Sequence, residues 1–386
     1  MRTFNDINHS INKGILVFSM ALMAGGVGCK QTYLPPAVAN PPNYLVVEGF
    51  IENNGTDSTI FKLSRTVRLD SNAYTPEHGA SVTVEGTDNS IFPLAETNNG
   101  AYGAPLPLLN SKVTYRLHIT TSGGKQYASD YVPIVTNPPF DSISWVRKDN
   151  PPNAGIQVYA NTHDPNNNTH YYRWEYQETW EFHVAFYTTY KYIPGIGLQD
   201  YGPNTMYYCW HSDNSSNVLV ASSTQLSEDV IHEAPLVLLP LNSQQLQMRY
   251  SILVKQYALT KDAFDWWQIL QKNTEQIGSI FGVQPSANPG NIHCLTDTTE
   301  QVLGFLGGGN THSQRIFITH DQVLPWDYES GCVDTKVSAT LGAAEAAYDM
   351  GVLVWSKDIN PPMLHVAYKT CVDCTYTGYN TQPSFW

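Results

Sequence analysis

Apolar and polar residues alternate with a period of two along most of this chain, and that period predicts strands. Tyr44 to Ile51 forms one such run and leads into the turn Asn53-Asn54-Gly55, after which 60–66 forms another. Val82 and Val84 share a face of 81–85. Val113, Tyr115, Leu117 and Ile119 share a face of 112–120, and Ser122-Gly123-Gly124-Lys125 makes a hairpin turn into 126–129. Short strands with a turn about every 8–12 residues predict an immunoglobulin-like β-sandwich over 43–135.

Thr136-Asn137-Pro138-Pro139 reads as a boundary, and a larger β-rich domain follows over 138–386. Its longest alternation puts Tyr172, Trp174, Tyr176, Trp180, Phe182, Val184 and Phe186 on one parity. Arg173, Glu175, Gln177, Thr179, Glu181 and His183 fall on the other. This predicts a strand buried on one side, with its polar parity facing solvent rather than converging on a pocket. Met248, Tyr250, Ile252 and Val254 are in phase along a second long strand, 247–258. The period lengthens to that of a helix near 261–277, where Ala263, Phe264, Trp267, Leu270 and Ile277 recur. Thr260 is placed to cap its start and Gly278 to stop it. Residues 342–349 predict a second short helix. The fold class is therefore all-β, a sandwich followed by a larger β-rich domain with one or two short helices.

The N-terminus carries a different signal. Arg2 and Lys13 precede the apolar run 15–24, which is shorter than the ~20 residues a spanning helix needs and has the length of a signal-peptide core. Gly25-Gly26-Val27-Gly28 then leads to Cys29. This resembles a lipobox, in which small residues precede a cysteine that is acylated before cleavage; Gly26 stands where that pattern usually has leucine. The reading is a removable signal over 1–28, lipidation at Cys29, and an extended Pro-rich tether over 29–42. Stable anchoring takes more than one acyl chain, which lipoprotein acylation supplies.

Composition narrows the function classes. The net charge is −13, and the 21 Lys and Arg form no cluster, so the basic footprint that nucleic-acid binding needs is missing. Charged residues make up 14% of the chain, low for a cytosolic protein, while Tyr, Trp, Asn, Ser and Thr abound. Such a polar but weakly charged surface suits an extracytoplasmic β protein.

Motif chemistry is sparse. In an exported chain Cys209, Cys294, Cys332, Cys371 and Cys374 default to disulfides, two bridges with one thiol left over. Cys371-Val372-Asp373-Cys374 lacks the helix of a redox motif and the second ligand pair of a zinc site. His163, His170, His312 and His320 have no ligand spacing. Asp164, Asn166 and Asn168 read as an Asx-rich turn, because the glycine and distal glutamate of a calcium loop are missing. Gly307-Gly308-Gly309-Asn310 reads as a flexible loop, since no helix and lysine follow to make a phosphate cradle. No nucleophile elbow or HExxH occurs. Glu175/Glu178 and Asp262/Asp265 are expected on solvated faces. Trp266-Trp267 and Trp174/Trp180 are expected in the core rather than stacked on sugars. No metal or cofactor is expected.

The C-terminal residues Cys371-Val372-Asp373-Cys374, Gly378, Asn380 and Pro383-Ser384-Phe385-Trp386 resemble a Bacteroidota lipoprotein family, domain of unknown function 4249. Val47-Glu48-Gly49, Tyr171-Tyr172-Arg173-Trp174, Cys209-Trp210, Pro285, Gly290-Asn291-Ile292 and Val302-Leu303-Gly304-Phe305 agree with it. Cys294 and the triple glycine depart from it. The resemblance implies an outer-membrane lipoprotein encoded beside a TonB-dependent receptor, with no known catalysis or ligand. It also implies that Cys332 pairs with Cys371 or Cys374, that Cys209 takes the other, and that Cys294 is free. The expected function is that of a binding or accessory subunit, not an enzyme. It would be lipid-anchored in the outer membrane, preferentially at the cell surface, with a TonB-dependent receptor as partner, an unidentified ligand and no nucleic acid. Rival readings are a carbohydrate-active enzyme with an unrecognised carboxylate pair, and a structural or adhesive envelope protein.

Overall fold

The structure, a computed structural model, describes residues 43–67, 74–200, 202–203, 205–275 and 289–386. The expected signal, Cys29 and the 29–42 tether lie outside the described residues, as do Ile277, Gly278 and Pro285. The class is all-β: strands dominate, with two α-helices among the described residues, Lys261–Glu275 and Leu341–Asp349. No helix among these residues is long and apolar enough to cross a membrane.

The N-terminal strands bend into a two-faced body. Leu45–Glu52 pairs with Ser58–Arg65, which pairs with Ala101–Pro105. Ile91–Asn98 turns the corner between the two faces. Its first half pairs with Ser81–Gly86 and its second half with 101–103. Thr114–Thr120 and Gln126–Ser129 complete the second face. Alternate residues of these strands, among them Leu45, Phe61, Leu63, Val84, Tyr102, Leu117 and Tyr127, point inward and are fully buried.

The region expected to run from 43 to 135 shares this sheet with residues from far downstream. Ile292–Cys294 pairs with 126–129 at one edge, and Val302–Leu303 pairs parallel with 45–52 at the other. An open sheet leaves unpaired N–H and C=O groups at both edges, and this returning segment covers them. Its two ends meet where Gly290 lies against the Gly304 carbonyl, an approach that leaves no room for a Cβ. Gly307-Gly308-Gly309, expected as a flexible loop, belongs to the sheet: Gly308 and Gly309 pair parallel with Ile51 and Glu52. A Cβ on Gly309 would run into the Val135 carbonyl oxygen. These glycines therefore serve close backbone packing rather than motion.

The second body is a sandwich. A three-stranded sheet, Phe140–Lys148, Gly155–His163 and Val230–Pro240, faces a five-stranded one. The latter runs Tyr208–Asn214, Tyr171–His183, Arg249–Ala258, Thr311–Thr319, with Leu219–Ser222 beside 171–174. Between them lie Ile156, Val158, Tyr172, Trp174, Tyr250, Ile252 and Val254. The apolar parities of 171–183 and 249–258 thus meet in one core, as their period predicts. Glu178 breaks the pattern. Expected on a solvated face, it sits on the apolar parity, is 8% exposed, and accepts from the Tyr250 hydroxyl at 2.9 Å.

The Thr136–Pro139 segment, a linker by composition, is a buried joint. Asn137 is 2% exposed and donates to the Gln256 carbonyl at 2.8 Å. The fully buried Gln256 side chain accepts from Trp174 Nε1 at 2.9 Å. Its amide faces Asn137 Oδ1, the Pro138 carbonyl and Thr162 Oγ1 at 2.8–3.1 Å. Glu52, also buried, accepts from the Thr311 amide at 3.0 Å and hydroxyl at 2.7 Å, and from Lys255 at 3.1 Å.

A small C-terminal sheet, Thr335–Ser338, Pro362–Tyr368 and Val352–Ile359, packs with the 341–349 helix around Val354, Leu364 and Val366. His365 lies between two carboxylates, Nδ1 to Asp334 at 2.7 Å and Nε2 to Asp358 at 3.2 Å. Donating to Asp334, and also to Asp358, raises its pKa above the ordinary histidine value against the effect of burial. A group raised on folding stabilises below its unfolded pKa, and the contribution is lost as pH rises through the folded one. Amide protection in 352–368, taken relative to the intrinsic exchange rate at each pH, is therefore expected to be greater at pH 6 than at pH 9, and Asp334→Asn should flatten the difference. An NMR titration placing the His365 pKa at or below the ordinary value would refute this.

Candidate functional site

The outer face of the five-stranded sheet carries the parity expected to be wet. Strand register sets Arg173 opposite Tyr257, Glu175 opposite Lys255, Gln177 opposite Leu253, and Glu181 opposite Arg249. Both ends of this face are covered. At one end Trp386 packs on Trp210 and Phe317, Arg249 lies over Phe317 and Trp386, and Arg315 lies 3.5 Å from the Phe385 ring centre. At the other end the 261–275 helix lies across Arg173. Thr260 caps that helix as expected, its hydroxyl accepting from the Ala263 amide at 3.2 Å.

Between the covers is a cleft of about 790 Å³. Its floor includes Arg173, Glu175, Gln177, Leu253 and Lys255. One wall is the helix, through Trp267, Leu270 and Thr274. The other is the 214–219 loop, and Glu48 and Lys62 of the first body stand at the rim. The loop is tied to the helix: Gln271 donates to the Val218 carbonyl at 2.6 Å, and the Val218 amide donates to Glu275 at 2.7 Å. The polar parity of the long strand thus lines a pocket over residues 173–177, contrary to its expected solvation. The strand's alternation is real, but it specifies only which side chains share a face, not what packs over that face.

Arg173 lies in the lining of this cleft. It is 8% exposed, and its guanidinium is sandwiched between the rings of Tyr257 at 4.1 Å and Trp267 at 4.3 Å. It is ion-paired to Glu175. A guanidinium keeps its charge and stacks well on aromatic faces, so this environment costs it less than it would an ammonium. Glu175 also accepts from the Tyr257 hydroxyl at 2.7 Å. Burial pushes the Glu175 carboxyl up, but Arg173, Tyr257 and Lys255 together outweigh it and hold the group below the ordinary range. Trp267 is therefore neither a simple core residue nor an open platform; it clamps an arginine. Trp174 and Trp180 are core, as expected.

The cysteines form two bridges, Cys209–Cys374 and Cys332–Cys371, and Cys294 is free and buried. The first bridge ties the tail to the 208–214 strand, where Tyr379 and Trp210 exchange backbone hydrogen bonds at 2.8 and 2.9 Å. The histidines do not gather. His163 pairs with exposed Asp141 at 2.6 Å, His320 bonds the Leu246 carbonyl at 3.0 Å, and His312 the Asn137 carbonyl at 3.1 Å. His170 faces Ser223 at 3.2 Å, and Ser223 donates to Asp229. Here serine lies between histidine and carboxylate and is fully buried, the wrong order and access for a nucleophile. Among the described residues no group of three His, Cys, Asp or Glu side chains is arranged to hold a metal ion. Asp164 makes the expected Asx turn, accepting from the amides of Asn166, Asn168 and Thr169.

The family profile described as "Domain of unknown function (DUF4249)" matches residues 31–315. The matched region includes the first body and the cleft's helix, strands and loop; the C-terminal sheet and the tail lie beyond it. No curated protein matches the chain.

Proposed function

We propose, for a chain that belongs to the DUF4249 family, a role as a lipid-anchored binding subunit of the outer membrane. It would work beside a TonB-dependent transporter, with the cleft on the 171–183 strand as its recognition surface. The observation that carries this reading is the preorganised floor of the cleft. Arg173 is held by two rings and Glu175, so its charge is placed before any ligand arrives. Binding sites commonly combine a concave, partly aromatic wall with a few fixed polar groups.

The catalytic reading draws less support from the same residues. A glycosidase needs a carboxyl that is protonated when the substrate arrives, and Glu175 is held in the ionised state. It can accept hydrogen bonds but is poorly placed to donate a proton at neutral pH.

Affinity purification from membranes tests the role. The acylated chain is expected to bring a TonB-dependent receptor with it, and Cys29→Ser to move the protein to the soluble fraction. Retention of processed Cys29→Ser in membranes would exclude the lipid anchor, and purification without any transporter would exclude the partnership.

A further inference from the structure

The charged groups at the cleft come in opposite-sign couples. Glu48 and Lys62 are register partners on adjacent strands. Arg173 is paired with Glu175, and Lys255 with the buried Glu52 behind it. The remaining polar lining is uncharged, with Gln177, Asn214 and Asn217 supplying amides and Ser215 and Ser216 hydroxyls. The cleft thus mixes polar and apolar lining and, with Glu52 counted behind Lys255, is balanced in formal charge within a chain of net charge −13.

This balance restricts the ligand. An anion reaching Arg173 meets the Glu175 carboxylate, which is 48% exposed on the same floor. A cation meets the guanidinium. Either would leave an uncompensated charge in a partly desolvated site. An apolar ligand would strip water from these groups and return no hydrogen bonds. An extended peptide bound by strand addition needs a free strand edge. The floor offers none, because 171–183 and 249–258 are each paired on both sides.

We infer that the cleft binds a neutral, hydroxyl-rich ligand, a short segment of uncharged glycan. A hydroxyl both donates and accepts, so adjacent hydroxyls can accept from the Arg173 guanidinium and donate to Glu175 without disturbing the charge balance. Gln177 and Asn214, opposite each other in register and both exposed, offer further donors and acceptors along the floor. A volume of about 790 Å³ lies within the range of about 300–1,000 Å³ usual for small-ligand sites. This inference rests on the binding role proposed above and specifies its ligand class.

The test is calorimetric titration of the full mature protein with neutral hexasaccharides of glucose, mannose, xylose and galactose. A galacturonate hexamer and an uncharged hexapeptide serve as competing classes. At least one neutral oligosaccharide is expected to bind saturably. Glu175→Gln removes a charge-assisted acceptor and should weaken binding about tenfold. Gln177→Ala and Asn214→Ala change only exposed side chains and should each weaken it several-fold, which keeps the test valid if Glu175→Gln fails to fold. His163→Ala, on the three-stranded sheet and outside the cleft lining, should leave it unchanged. Preference for galacturonate or peptide, saccharide binding indifferent to the cleft variants, or no saccharide binding at all would each overturn the inference. If saccharides fail while a transporter is still captured from membranes, the binding role stands and only the ligand class falls.

Discussion

Replacing Cys209 and Cys374 together by alanine is expected to lower stability by about 5 kcal/mol, the upper end of what one bridge contributes. The two residues are 165 apart in sequence, so the bridge closes a long loop and removes much conformational freedom from the unfolded chain. The Cys332–Cys371 bridge spans only 39 residues, and its loss should cost about 1 kcal/mol less on the same reasoning. The longer bridge also has a local effect. It fixes the segment that leads to Tyr379, Phe385 and Trp386, and these side chains cover one end of the outer sheet face. Chemical denaturation of the two double variants checks the order, and apolar-dye binding should rise mainly in Cys209→Ala/Cys374→Ala. Equal losses, or a larger loss for the shorter loop, would contradict the chain-entropy account.

Gln256→Leu should be the most damaging single substitution of a polar residue. Leucine nearly matches glutamine in volume, so packing is largely kept and the hydrogen bonds are what is lost. Trp174 Nε1, Asn137 Oδ1 and the Pro138 carbonyl would be left without this partner in a region closed to water. An orphaned buried donor or acceptor costs about 1–3 kcal/mol, so a loss of at least about 3 kcal/mol is expected. Because the network joins the 136–139 segment to the second core, denaturation should also become less cooperative, with the first body melting separately. A two-state transition shifted by less than about 1 kcal/mol would show that the joint is held by other contacts.

Much of this architecture was legible from period and punctuation. The alternations at 44–51, 81–85, 112–120, 171–186 and 247–258 correspond to observed strands, and Thr260 caps the helix at 261–275. Side-chain period is a local property of the backbone, so one chain read alone carries it. The buried side of the long strand was legible for the same reason.

The cleft was not. Arg173, Glu175 and Gln177 read as a solvated stripe because period two states only that they share a face. Their role depends on Tyr257 lying opposite in register, on a helix placing Trp267 over the guanidinium, and on Lys62 and Lys255 arriving from other strands. The glycine run misled in a similar way. Glycine permits both motion and close packing, and only the Val135 backbone beside Gly309 distinguishes the two.

What the sequence determined by itself was therefore local: strand, turn and helix content, the all-β class, the parity of each face and the scarcity of recognised catalytic motifs. The tertiary structure alone decided which edges the 292–309 segment closes, which polar groups become buried joints, and which exposed face is roofed into a cleft. Those outcomes depend on contacts between residues a hundred or more positions apart, such as Glu52 with Thr311 and Asn137 with Gln256, and no local pattern encodes such pairings.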